Sequence, residues 1–307
     1  MIQSGIRLSP CYDPRVPRVI IALIGLAVFT SALGQESKVL DKNTSFIKGV
    51  TALRNHLPDL AIAPLQLSLM DFKDDPRSKT QITIKLAEAL VRTGRLQKHH
   101  EKRKAHANSA LEYLKESLQE GDPSATFWSA HAYVLLGELT QAVSLFKELE
   151  DTGDKKLRDQ SSLSQAHILS ALGHPDRANS LLEKSFAEKD QSQLSHDAHL
   201  LRATILIAKE EGSQAREILD QIKPSSRQQE VHLSYLKAQL TALGDKQGAI
   251  SLLREIVEDP NPIQPLIRHS AQVFMAECLS ATGQVEEAFT ALVSLIDARQ
   301  RSPLLEI

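Results

Sequence analysis

The sequence predicts an all-α array of repeated helical hairpins, and three observations carry that prediction. From Gln35 onward no stretch shows the period-two alternation of a half-buried strand, and β-branched residues are sparse. Apolar residues recur instead at helical spacing, as in Ala110, Leu111, Leu114 and Leu118. The chain of 307 residues also resembles itself. Leu136-Gly137, Leu172-Gly173, Leu243-Gly244 and Thr282-Gly283 are each followed, five residues after the glycine, by Ala142, Ala178, Ala249 and Ala288.

Taken from the N-terminus, the first element is an address. Arg7, Arg15 and Arg18 precede an apolar run, Val19 to Phe29, which ends in Thr30-Ser31-Ala32-Leu33-Gly34. A basic start, an apolar stretch of secretory length and a small-residue exit predict a signal peptide over 1–34, cut after Gly34 or after Ala32. Extended to Leu33 the run would make roughly 22 Å of helix, short of a bilayer core of about 30 Å. An uncleaved anchor in the inner membrane is the alternative. Cys11 precedes the apolar run, where a lipid-modified cysteine would follow it, so a lipoprotein is excluded. Removing residues 1–34 takes away three arginines and one aspartate, moving the net charge from −2 to −4. Export to the periplasm or secretion is the expectation, and residues 35–44 read as a linker.

The repeat array is expected over 45–302. Gly49, Ala52, Ala61, Leu65 and Leu69 make a first unit, with Pro58 near its turn. Ala87, Leu90 and Gly94 supply the first helix of a second unit, whose second helix is delayed to Ala110–Leu118 by an insertion near 95–107. Five clearer units follow, in which Ala142, Ala178, Ala215, Ala249 and Ala288 are 36, 37, 34 and 39 residues apart. An earlier small residue stands about twelve positions before each: Ala130, Ala166, Ala203 and Ala276, with Ala238 off by one. In residues 203–222 the pattern holds with the glycine displaced. Small side chains let paired helices approach closely, and glycine ends the first of them. Residues 303–307 read as an unfinished end, because a solenoid needs its last apolar face covered. That C-terminal edge is expected to meet further repeats or another chain.

This pattern resembles the tetratricopeptide repeat. Ala130, Tyr133, Gly137, Ala142 and Phe146 match its motif best, followed by Ala166, Leu169, Gly173, Ala178 and Leu182. A closing proline is loosely kept at Pro224, Pro260 and Pro303, whereas the large residue that opens the motif is mostly missing. The resemblance implies a right-handed superhelical solenoid of about seven hairpins. It also implies that first-helix residues line a concave groove that holds protein or peptide segments. His131 and His167 each follow the small alanine of their unit, and Glu88, Thr204 and Glu277 correspond to them. On the resemblance these five form a ladder in that groove, with Phe127, Val134 and Leu200 as apolar contacts beside it.

Chemistry is scarce. No metal-protease helix motif, glycine-rich phosphate loop, nucleophile elbow or paired-cysteine spacing occurs, so no catalytic residue, cofactor or metal is expected. Acids and bases are mixed throughout, which excludes a dedicated nucleic-acid binder. His99, His100 and His106 lack a completing carboxylate or cysteine, and His196 with His199 reads as an exposed helix start. Cys278 lies within a helical pattern and reads as a small packing residue. Arg95, Lys98, Lys102, Arg103 and Lys104 concentrate positive charge in the insertion against Glu101. They read as a solvated face, or as a transient contact with anionic head groups. The function expected is an exported, non-catalytic scaffold binding a protein or peptide partner in the cell envelope. The alternative is an accessory region of a larger envelope protein or enzyme.

Overall fold

The computed structural model describes residues 40–151, 154–186, 193–261 and 265–301. The signal segment 1–34, linker residues 35–39 and the end 303–307 lie outside the described residues. Within them the chain is all-helical, in seven consecutive hairpins. These are α1 (Thr44–Arg54) with α2 (Pro58–Asp71), α3 (Pro76–Leu96) with α4 (His100–Gln119), and α5 (Pro123–Leu136) with α6 (Leu139–Glu148). Then come α7 (Lys155–Ala171) with α8 (Pro175–Ser185), α9 (Gln193–Ala208) with α10 (Gly212–Gln221), α11 (Arg227–Ala242) with α12 (Lys246–Glu258), and α13 (Pro265–Ala281) with α14 (Val285–Arg301).

Helix starts follow local chemistry. Proline fills the first position of α2, α3, α5 and α8, where its missing N–H leaves nothing unsatisfied. Asn43, Asp122, Asp154, Ser226 and Asp245 accept from backbone N–H groups of the turn they open. Helix ends use one recurring device. Gly137 N–H donates to Val134 O at 3.1 Å and Glu138 N–H to Tyr133 O at 2.9 Å, with Gly137 left-handed at φ 82°. The same pair of bonds closes α1 at His56, α7 at Gly173, α9 at Glu210 and α13 at Gly283. The displaced glycine of the fifth hairpin is thereby explained. Glu210 takes the left-handed residue's place at φ 61°, and Gly212 opens α10 instead.

The repeat alanines sit where the helices of a hairpin cross. Ala130, Ala142, Ala166, Ala178, Ala203, Ala215, Ala238 and Ala249 are all fully buried. Phe146, Leu182, Leu219 and Leu253 fill the space beside them. The extra residues near 95–107 do not stand apart as an insertion. With neither proline nor glycine between Arg95 and Glu120, they continue as helix, lengthening α3 to 21 residues and α4 to 20. Only Gln97, Lys98 and His99 separate the two.

First helices of neighbouring hairpins touch throughout: α3 with α5, α7 with α9, α9 with α11 and α11 with α13. Among the described residues no two second helices make a comparable contact. The array therefore curves with its first helices on the inner side. A continuous core joins the first three hairpins to the start of the fourth, while the later hairpins hold smaller separate clusters.

Candidate functional site

The inner face divides into a filled half and an open half. In the filled half Glu88 is buried, its carboxylate accepting from Lys85 Nζ at 3.1 Å and Arg92 Nη1 at 3.0 Å. Arg92 Nη1 also donates to Leu53 O at 3.2 Å, which ties α3 to α1. His131 is buried with its ring edge-on to Phe127 and Phe146, at centroid distances of 4.5 and 4.9 Å. Arg95 Nη2 lies 2.6 Å from His131 Nδ1. Phe127 and Leu200 are core residues too. Four of the eight groove residues expected from the sequence, Glu88, Phe127, His131 and Leu200, thus lie between helices. Val134 is half-buried against the same core.

The open half runs from α7 to α13. His167 and Thr204 are half-buried there, and Glu277 is exposed. Thr204 spends its hydroxyl on Leu200 O, at 2.8 Å. His167 Nδ1 is buried with no hydrogen-bond partner, and so is Oε1 of Gln165 two residues earlier. α7 is otherwise unusual in burying Asp159, Gln160, Ser161, Ser162 and Gln165 along one helix. Burial, with His232 nearby, lowers the His167 pKa to about 4. Burial alone takes His232 down to about 4. These two histidines lie two hairpins apart, so the curvature brings α7 and α11 within electrostatic reach. Both are neutral at physiological pH.

Further along, Gln239 Nε2 donates to Tyr235 Oη at 3.1 Å, and the Tyr235 ring meets Phe274 edge-on at 6.4 Å. Burial and the neighbouring Glu277 carboxylate raise the Tyr235 pKa to about 12. His232, Tyr235 and Gln239 were missed in the sequence because Ala238 breaks the twelve-residue spacing. The signal was nevertheless present. Gln239 follows Ala238 as His167 follows Ala166, and Tyr235 and His232 lie four and seven residues earlier, on the same helical face.

The five cations near 95–107 do not form one patch. Arg95 points into the fold, where burial and Arg92 lower its pKa to about 10. Arg103 Nη2 turns back onto Gln97 O at 3.4 Å. Lys104 is half-buried, and Lys98 and Lys102 are exposed. His196 Nε2 is 2.9 Å from Lys223 O and His199 Nδ1 2.6 Å from Ser195 O, so both rings serve the backbone. Among the described residues no group of three or more His, Cys, Asp or Glu could hold a metal ion. None of the described helices is long and apolar enough to cross a membrane. Cys278 is buried, and burial raises its thiol pKa.

Comparison with known proteins agrees with this architecture. Tetratricopeptide-repeat family models match residues 169–240 and 214–302. No curated protein sequence matches the chain significantly. Among solved structures, the apo form of the quorum sensor NprR from B. thuringiensis superposes with a TM-score of 0.64 at 16% identity, covering 85% of this chain and 78% of that one. A tetratricopeptide repeat protein from Parabacteroides merdae gives a TM-score of 0.59 at 14% identity, covering 84% and 92%. The protein is a tetratricopeptide-repeat-like helical array.

Proposed function

We propose that this chain is an exported, non-catalytic scaffold that binds a protein or peptide segment along the inner face of α7, α9, α11 and α13. The observation that carries this reading is the buried, unpartnered ring nitrogen Nδ1 of half-exposed His167 on α7. A buried polar atom without a partner costs about 1–3 kcal/mol, and a ligand donor would recover it. The surrounding groups are neutral hydrogen-bonders: His232, Tyr235, Gln239 and Thr204. Neutral groups suit main-chain amides of an extended or helical segment better than a charged ligand, with Phe274 as apolar anchor. The likeness to a quorum sensor and the tetratricopeptide matches support an interaction role. Placement in the envelope rests on the basic and apolar pattern of residues 1–34. Contact with anionic head groups falls to Lys98, Lys102 and Lys104.

A photo-crosslinking residue at Thr204 tests the site directly in envelope fractions of the source cells. Adducts are expected from position 204 and not from Lys147, on the second helix α6. They should disappear in the His167→Ala variant. Equal adducts from both positions, or adducts indifferent to the α7 change, would remove this site from consideration. An alkaline phosphatase fused after residue 44 tests export independently, and activity confined to the cytoplasm would refute it.

A further inference from the structure

The last helix exposes a row of apolar side chains, two of which correspond to residues that the sixth hairpin buries. Val285, Phe289, Leu292, Val293 and Ile296 are 63%, 68%, 40%, 36% and 55% exposed. Aligning the alanine of the seventh hairpin, Ala288, with that of the sixth, Ala249, sets Phe289 against Ile250 and Leu292 against Leu253. Ile250 and Leu253 are 1% and 0% exposed, and α13 packs against their helix. Phe289 and Leu292 therefore stand on the face where the sixth hairpin receives α13. Along α14 the spacing of Val285, Phe289, Leu292 and Ile296 is four, three, four. That is the seam of a helix pair.

We infer that a second copy of this chain covers this face, with the two α14 helices packed antiparallel across a two-fold axis. Three features select that occupant. The seam is nearly palindromic, so turning one helix end to end sets Val285 against Ile296 of the other copy and Phe289 against Leu292. Charge agrees as well, since the acidic pair Glu286 and Glu287 occupies the first turn, and parallel packing would set the two pairs side by side. Antiparallel packing keeps the pairs apart. Area agrees too. The five side chains leave on the order of 400–500 Å² open per copy, so two copies and their rim reach about 1,000 Å², the lower bound for a specific dimer. This surface lies on α14 and does not depend on the inner-face reading.

The test uses the full chain in mild detergent, followed by sedimentation across a concentration range. Wild-type protein should sediment as two copies, and Phe289→Glu with Ile296→Glu as one, at unchanged helicity. The dissociation constant should rise at least about 30-fold. Both positions are exposed, so the pair leaves the fold intact. Orientation is read by oxidation in a Cys11→Ser background. Val285→Cys mixed with Ile296→Cys should crosslink, and each alone should not. One copy at every concentration, or a dimer indifferent to the glutamates, overturns the inference. Crosslinking of like with like also overturns it. So does a monomer whose Ile296→Cys resists thiol labelling, which would mean that residues 302–307 cover the face.

Discussion

Arg95 Nη2 lies 2.6 Å from His131 Nδ1, joining the end of α3 to the middle of α5. A guanidinium only donates, so Nδ1 accepts and the imidazole proton rests on Nε2. Burial, with the adjacent cation, holds the His131 pKa well below its usual range. Neither partner tolerates losing the other. His131→Ala is expected to lower stability by about 3–5 kcal/mol, because an aromatic packing unit and an acceptor vanish together. Arg95→Met should lower it by about 1–3 kcal/mol. The double variant should fall short of the sum by at least about 0.5 kcal/mol. Urea unfolding of the four proteins measures this, and strict additivity would show that the contact contributes nothing.

Acidification should loosen the open half. His167 and His232 titrate near 4 in the folded chain, against an ordinary 6.5. Between those values the unfolded chain binds more protons, so stability rises with pH across the window. It is complete above about 6.5 and declines as pH falls toward 4, with His131 acting in the same direction. Melting curves from pH 7.5 to 4.5 should show this decline. His167→Gln with His232→Gln should flatten the slope, and an unchanged slope would assign the dependence elsewhere.

Glu210 holds a left-handed conformation that side chains other than glycine adopt at a cost. Its relative at the third hairpin is Gly137, with φ 82°. Glu210→Gly should therefore stabilise the chain by about 1 kcal/mol, raising its melting temperature by roughly 2–4 °C. A lowered melting temperature would mean that the glutamate side chain contributes more than the backbone strain removes.

Gly49 predicts the opposite sign for a glycine change. A Cβ there would lie 2.5 Å from Leu65 Cγ and 3.3 Å from Ala61 O, where α1 and α2 cross. Helix propensity alone favours alanine by about 1 kcal/mol. The clash should outweigh it, and Gly49→Ala should destabilise by about 1–3 kcal/mol. Pairing it with Leu65→Ala should recover part of that loss relative to Leu65→Ala alone. Differential calorimetry on the three variants decides it.

The sequence by itself determined the array. Ala142, Ala178, Ala215 and Ala249 predict the helix crossings because close approach demands a small side chain wherever two helices meet. That demand is local and periodic, so it is written in the spacing. Glu210 shows where this legibility ends, since its left-handed backbone is imposed by a turn shared with glycine-bearing relatives. Only the tertiary structure decided which residues of the ladder stay open. His131 and His167 hold the same place in successive units, but Arg95 and three aromatic rings enclose the first, while the second keeps a buried, unpartnered nitrogen. Register fixes which face of a helix a residue occupies. What stands opposite that face depends on side chains from other hairpins and on the curvature that brings α7 near α11, and neither is encoded in the repeat itself.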